Sequence, residues 1–337
     1  MTHPELRERA LLRASLTQHL RRFMEDEGLL EVFPPCAVPN PGMEPELGAF
    51  GLRAAEALGW ERYYLRTSPE LAVKASLAAL GCDVYALGPV WRDEPPSQRH
   101  WPEFTMLEWY RLNASIDTLA ADCERLIRRL CHGAAARFGG RDPFRTAYAP
   151  FAQVTCREAF LRYAGVDLLV VDLDAWRSAA AERGVDIPKA WDERAAFALL
   201  LDSLVEPALC STGPCFLTHY PASEAALSRL DPRDPRVALR LELYLPTPRG
   251  GKALEAANGY DELVDASVQR ERFIDALEER RALGRALYPM PDAMLDGLSK
   301  LAPSAGIAMG WERVLCWVAE TTLGWETEVR DWILPQG

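Results

Sequence analysis

Across its 337 residues the sequence has no apolar run long enough to cross a bilayer as a helix, and its start, MTHPELRERALLR, is charged rather than signal-like. The expectation is a cytoplasmic protein with no membrane span. The eight cysteines (Cys36, Cys82, Cys123, Cys131, Cys156, Cys210, Cys215, Cys316) never fall into C-x-x-C spacing, which argues against a metal cage or a disulfide framework and for buried thiols. Positive charge is in deficit: 38 Lys plus Arg stand against 49 Asp plus Glu, for a formal net charge of −11. Without a basic run or arm to neutralise phosphates, nucleic acid is a poor partner, and tRNA binding is not expected. Internal repeats, low-complexity segments, a Gly-rich phosphate loop, a Ser-His-Asp order and zinc spacing are also missing.

Apolar content is ample, at 49% of residues, enough for a large core in two domains or one elaborate one. Leu12, Leu16, Leu20 and Phe23 recur at helical spacing and predict a first helix, ended by Gly28 and followed by a strand-like LLEVF before Pro34-Pro35. The proline-rich CAVPNPGMEP predicts a loop, and YYLRTSPELAVKASLAAL predicts a short strand that breaks at Ser68-Pro69 into a helix. A further amphipathic helix is expected from Asp117 to about Phe138, with Leu119, Cys123, Leu126, Ile127 and Leu130 on one face. From about 151 to 215 the pattern is mainly helical and reads as an insertion. Strands return with CFLTHYP and with RLELYLPTPRGGKALEAANG, a hairpin whose tip runs from Pro246 to Gly251. A charged helix from about Val268 to Arg281 follows, and SAGIAMGWERVLCWVAE reads as a strand passing into a helix. Strands and helices without a βαβ rhythm predict an α+β fold on an antiparallel sheet.

The stretch VWRDEPPSQRHWPEFTMLEWYR, from Val90 to Arg111, gathers unusual charge. Apolar, β-prone runs on both sides make Pro95-Pro96-Ser97-Gln98 a hairpin tip, so its Arg, His and carboxylates must be paired or must bind something. Further acids sit in strand-like runs at Glu103, Glu108, Glu242, Glu255 and Glu262, with Glu70 after the Ser-Pro break. Glu242 and Glu255 lie on opposite arms of the second hairpin and could face each other across the ladder, where a cation such as magnesium would relieve their repulsion. Arg92 and Arg313 supply forked cations for phosphate or carboxylate. Together the residues fit either an adenylate-forming site, in which alignment and charge neutralisation suffice, or ordinary ion pairs. Trp101 and Trp109 fit either core or adenine platforms, and His100 a structural or a functional histidine.

These stretches carry a resemblance. The charged hairpin is similar to motif 2 of class II aminoacyl-tRNA synthetases, and GIAMGWERV to their motif 3, with Arg313 as its arginine. SPE at Ser68 to Glu70, EFTMLEWY at Glu103 to Tyr110 and EAANGYDEL at Glu255 to Leu263 resemble the lysyl branch. CREAFLRY at Cys156 to Tyr163 and HYPASEAAL at His219 to Leu227 extend the likeness, nearly end to end, to the elongation factor P lysyltransferase family, truncated paralogues of lysyl-tRNA synthetase. The resemblance implies one class II catalytic domain over 1–337, with the helical insertion at about 151–215 and no anticodon-reading OB domain. It also implies a homodimer, ATP and Mg2+ as cofactors, and elongation factor P as acceptor.

By the same resemblance, Arg92 would hold the α-phosphate and the substrate carboxylate, Glu94 would read the adenine amino group, and Phe104 and Arg313 would sandwich the ring. His100 would lie near the terminal phosphates, Asp93, Trp101 and Gly310 would complete the ATP site, and Glu242 and Glu255 would hold magnesium. The lysine-type substrate would be held by Glu70 and Glu108 at its reactive-end amine and by Glu262 with Tyr110 at its distal ammonium. Asn258 would fix its carboxylate, with Ser68 and Gly259 alongside. Ala308 stands where lysyl-tRNA synthetases have Gly, a change that implies preference for (R)-β-lysine over lysine. Trp101 in place of Asn, the longer tip at Pro246 to Gly251, and Trp311-Glu312 in place of Val-Asp depart from the pattern without removing a principal catalytic group. Acylation of tRNA without anticodon reading, a lysyl ligase for a small metabolite, and a non-catalytic binder of ATP or an amino acid are the competing readings.

Overall fold

A computed structural model of the protein describes residues 5–52, 63–98, 100–145, 149–210, 213–247 and 252–333. Helical spacing becomes helix where it is expected. Helix α1 (Leu6–Asp26) buries Leu12, Leu16, Leu20 and Phe23. The chain leaves it through Gly28 at φ 79°, a left-handed conformation that a side chain would crowd. Strand β1 (Leu30–Glu31) is shorter than the LLEVF run, because Pro34 and Pro35 cannot donate to a ladder. The proline-rich loop carries only β2 (Ala37–Val38), which pairs with β3 (Tyr64–Leu65), and Ser68-Pro69 then opens α2 (Glu70–Leu80).

The charged stretch folds as the hairpin of β4 (Val84–Trp91) and β5 (Glu103–Leu112), and α3 (Ile116–Phe138) follows. The segment expected to be helical opens with an edge strand, β6 (Ala152–Thr155), before α4 (Cys156–Tyr163), α5 (Leu173–Ala181) and α6 (Glu193–Leu200). Then come β7 (Cys215–Pro221), β8 (Leu230–Asp231), β9 (Asp234–Leu245) and β10 (Leu254–Asp261). Residues 248–251 of the expected hairpin tip lie outside the described residues. Helices α7 (Ala266–Ala282) and α8 (Asp292–Leu298), strand β11 (Ser304–Gly310) and helix α9 (Trp311–Val318) complete the order.

The main sheet runs β1-β4-β5-β11-β10-β9-β7-β6, with β8 on β9. Only the outer pairs β1/β4 and β6/β7 are parallel, so the expected antiparallel α+β sheet holds through its centre. One face is sealed: Leu107, Trp109, Ala305, Ile307 and Met309 pack with α1, α3 and α9 in the largest core cluster. On the other face α2 covers Val84, Ala86 and Tyr110, while α4 to α6 cover Leu217, Tyr220 and Tyr244. Between those two groups of helices the sheet surface stays open, and the cavity described below forms there. The eight cysteines are free thiols, five of them buried; Cys36, Cys82 and Cys210 are only partly so.

One buried acid ties the sealed face together. Asp122 of α3, 1% exposed, accepts from Trp109 Nε1 at 3.2 Å, Arg111 Nε at 2.6 Å and Arg125 Nη2 at 2.7 Å. Replacing it with Ala would leave Trp109 Nε1 without its acceptor and Arg111 with only Asp83 at 3.1 Å and Glu27 at 3.4 Å, and Asp122→Ala is expected to cost about 1–3 kcal/mol in urea unfolding, as losing a buried charged hydrogen-bond partner does. A loss below 1 kcal/mol, on the order of a surface pair, would mean that solvent already compensates Arg111.

Candidate active site

Strand alternation builds the site. With Leu107 and Trp109 committed to the core, Phe104, Met106, Glu108 and Tyr110 of β5 must face the other way, into a cavity of about 420 Å3. Gly306, Ala308 and Gly310 of β11 and Asn258 and Tyr260 of β10 join them by the same rule. Glu255 breaks it. A bulge between Glu255 and Ala257 shifts the register, so that Glu255 pairs with Tyr244 while Asn258 pairs with Glu242. The extra residue turns the Glu255 side chain onto the cavity face. It also means that Glu242 and Glu255 sit diagonally rather than directly opposite. The polar hairpin tip adds Arg92, Glu94, His100 and Trp101, the start of α2 adds Ser68 and Glu70, and the first turn of α9 adds Arg313.

At one end of the cavity cations meet rings and carbonyls. The Arg92 guanidinium lies 5.3 Å from the Phe104 ring centre. Arg313 donates to Glu255 O at 2.8 Å and approaches His100 Nε2 at 2.7 Å. Arginine only donates, so Nε2 is placed to accept, and the ring's Nδ1 lies 3.1 Å from Ser97 Oγ.

The other end is acidic. Ser68 Oγ donates to Glu108 Oε1 at 2.5 Å and Tyr110 Oη to Glu108 Oε2 at 3.1 Å. Lys74, 3% exposed, places Nζ 2.6 Å from both Glu70 and Glu262. Burial works against its ammonium, but Glu262 and Glu70 more than offset that, and its pKa is raised. The carboxylates go the same way: burial first, then Glu70, pushes Glu108 up to about 8, and burial raises Glu262 to about 7 despite Lys74. Glycine is required at 306, where a Cβ would collide with the Tyr110 ring and come within 2.6 Å of Glu262 Oε1.

The proposed metal pair lies to the side. Glu242 accepts from Arg240 at 2.5 Å and Tyr244 Oη at 2.7 Å, while burial and then Glu242 raise the pKa of Glu255. A third acid, Glu206, raised to about 7 chiefly by burial, accepts from Tyr244 Oη at 3.4 Å.

Several polar atoms around this space are shut from solvent with no hydrogen-bond partner: Arg92 Nε, Asn258 Oδ1, Glu262 Oε1 and Glu44 Oε2. Such orphans are costly, and a bound ligand is the usual reason for keeping them. Most residues singled out from the sequence line the cavity. Six do not: Glu242 and Glu262 lie behind its wall, Asp93 backs onto Gly48, Gly259 packs on Ile307, Trp109 is buried in the core rather than serving as a platform, and Glu103 stands exposed at the start of β5. Sequence reasoning missed Lys74, Glu44, Arg240 and Glu206. Lys74 falls four residues after Glu70 on one helix, the spacing of an ion pair, and could have been found; the others carry no pattern.

A family model described as tRNA synthetases class II (D, K and N) matches residues 1–330. The chain is similar to curated proteins named elongation factor P-(R)-beta-lysine ligase. With that of Pseudoalteromonas translucida (strain TAC 125) it shares 34% identity over 309 residues, covering 90% of this chain and 89% of the relative. The Erwinia tasmaniensis protein gives 34% over 311 residues and the Salmonella typhi protein 33% over 312, with the same coverage. With a family model spanning nearly all of the sequence, this chain belongs to the class II tRNA synthetase (D, K and N) family.

Proposed function

We propose that this protein activates (R)-β-lysine or lysine with ATP as an aminoacyl adenylate and transfers it to a lysine side chain of elongation factor P in the cytoplasm. The observation that carries the reading is one cavity with two unlike ends: Arg92, Phe104 and Arg313 at one, and Glu70 and Glu108, backed by Glu262, at the other. The first suits a nucleotide, the second an amino acid with two ammonium groups. The names of the relatives support the acceptor, and a net charge of −11 disfavours tRNA in that role.

In the first step an oxygen of the amino acid carboxylate attacks the α-phosphorus. The new O–P bond forms, the bond to the β-phosphate breaks, and pyrophosphate leaves. No proton has to move, so the protein's task is alignment and charge neutralisation. Arg92 holds the α-phosphate and the carboxylate, Phe104 and Arg313 hold the adenine, Glu94 reads its amino group, and His100 and Trp101 flank the phosphates. Glu70 and Glu108 take the reactive-end amine, Glu262 with Tyr110 the distal ammonium, and Asn258 the carboxylate. In the second step the neutral acceptor amine attacks the carbonyl carbon, a C–N bond forms, AMP leaves with the C–O pair, and the amine proton passes to solvent.

Glu242 and Glu255 fit magnesium by donor chemistry, since a cation between them would relieve the repulsion that helps raise Glu255. Among the described residues no three ligating side chains form a metal cage, which suits an ion that completes its shell with phosphate and water. When bound, magnesium supplies neutralising charge to the phosphates. Ala308 pairs across the sheet with both Glu108 and Asn258. Its methyl group therefore stands between the groups assigned to the amine and the carboxylate, which favours β-lysine.

The protein acts as a homodimer through its sheet edge, where Leu30 and Phe33, 49% and 82% exposed, flank the free side of β1. No described helix is long and apolar enough to cross a membrane.

Incubation of elongation factor P with this protein, ATP, magnesium and (R)-β-lysine is expected to add one lysyl unit by intact mass, more slowly with lysine. Arg92→Ala should abolish both the addition and pyrophosphate exchange; brisk exchange without any mass gain would redirect the acceptor to tRNA or a metabolite. Phe33→Glu is expected to halve the sedimenting mass, and an unchanged mass would remove that edge from the interface. Ammonium groups bind the ionised carboxylates, so lysine binding should strengthen as pH rises through about 7 to 8, the values of Glu262 and Glu108, and level off above. Protons held by the folded state make the free protein lose stability as pH rises from about 4.5, the ordinary value of these acids, until it has passed about 7 to 8, because they titrate above their unfolded values. Calorimetry showing pH-independent lysine affinity between those limits would exclude both groups from the ammonium sites.

A further inference from the structure

We propose that Glu44 is a third carboxylate of the amino acid pocket, one that accepts from the substrate's reactive-end ammonium and sets the protein's demand for that amine. The inference rests on the lysine-type reading of the site and extends it to a residue outside the strands and helices.

Glu44 comes from the proline-rich loop after β2, yet it lines the same cavity as Ser68, Glu70 and Arg92. Its Oε2 is shut from solvent and accepts no hydrogen bond. Its place is well defined: a Cβ on Gly42 would lie 2.6 Å from that oxygen and 2.5 Å from Thr67 Oγ1. The carboxylate and the Thr67 hydroxyl thus both stand beside Gly42, close to the Ser68-Pro69-Glu70 turn. Burial, then the charge of Glu70, raises its pKa, with a hydrogen bond from its own backbone N–H, then Arg92 and Arg280, acting in the opposite sense.

An inventory of acceptors shows why a third acid matters. Both oxygens of Glu108 already accept, from Ser68 and Tyr110, and Glu70 Oε1 accepts from Lys74. An ammonium brings three donors to this end. Of the carboxylate oxygens here that are shut from solvent without a protein donor, those of Glu262 lie behind the wall, whereas Glu44 Oε2 belongs to a residue that lines the cavity.

The loop is held as a fixed part of the pocket wall. Arg280 of α7, 1% exposed, donates Nη1 to the carbonyls of Glu44 at 2.7 Å and Leu47 at 3.0 Å, and Nε to Ala286 O at 2.8 Å, while its guanidinium lies 4.2 Å from the Tyr288 ring centre. Those donors go to main-chain carbonyls, which leaves the carboxylate open. Arg194 of α6 pins the same loop from outside through Glu46 at 2.8 Å. Arg280 is thus a positioning residue acting through Glu44.

The test is pyrophosphate exchange with the full chain, ATP and magnesium, using lysine and (R)-β-lysine as substrates and 6-aminohexanoate, which lacks the reactive-end amine, as inhibitor. Glu44→Gln keeps size and folding, checked by an unchanged or higher thermal midpoint. It is expected to raise KM for the diamino acids by about 10- to 100-fold, the range for losing a charged hydrogen-bond partner. Its kcat should stay within a few fold and its inhibition constant for 6-aminohexanoate should not change. Arg280→Met should raise the same KM, and the double variant should be no worse than the worse single one. An unchanged lysine KM in Glu44→Gln overturns the proposal, and so does an equal loss for lysine and 6-aminohexanoate, which marks a packing role. Absence of exchange by the unaltered protein with either diamino acid would overturn the lysine-type reading and this inference with it.

Discussion

At the acidic end of the cavity Glu70 and Glu262 share one ammonium, that of Lys74, while Glu44 and Glu108 line the same space. Water cannot disperse this charge, and the protein tolerates it only because the acids are fixed to elements that have other reasons to be where they are. Glu108 and Tyr110 stand on β5, whose opposite face is locked into the core by Leu107 and Trp109. Glu70 begins α2, which is held by Val73 and Leu77. Lys74 and the backbone supply just enough compensation to keep the set folded, and the raised pKa values of Glu108 and Glu262 record what remains uncompensated. A site of this kind trades stability for the capacity to bind.

Strand β5 also acts as a ruler. Phe104 near its start and Tyr110 near its end point to the same face six residues apart. At the rise of an extended chain that is about 20 Å, long enough to lay a nucleotide and an extended amino acid end to end. Both ends of the cavity are thus set by one rigid element, and the spacing between them does not depend on loop conformation.

Much of this was legible beforehand, for reasons that differ by element. The burial of Leu12, Leu16, Leu20 and Phe23 followed from period alone, as did α3 and the β4/β5 hairpin. The antiparallel class followed from the missing βαβ rhythm, although the parallel pairs at both sheet edges did not show. At the site, acids in strand-like runs were visible because charge is rare on a half-buried surface. Their assembly needed the resemblance. The bulge at Glu255 was invisible because a one-residue register shift leaves no compositional mark, and it changed the pairing expected of Glu242. Glu44 was hidden for a different reason: it stands in a loop where an acid is ordinary, and only tertiary contacts by Arg280, far along the chain, turn it inward.

The cavity wall draws on residues from Glu44 to Arg313, and neighbouring side chains such as Asn258 and Ala308 come from strands that meet only when distant segments pair. No contiguous fragment contains a working half of the site. Because such non-local pairings form late and slowly, the adenylate pocket cannot exist in a partly folded chain. A nascent or proteolytically nicked protein would therefore hold no reactive adenylate, and release of the mixed anhydride into solution is confined to molecules that have completed the fold.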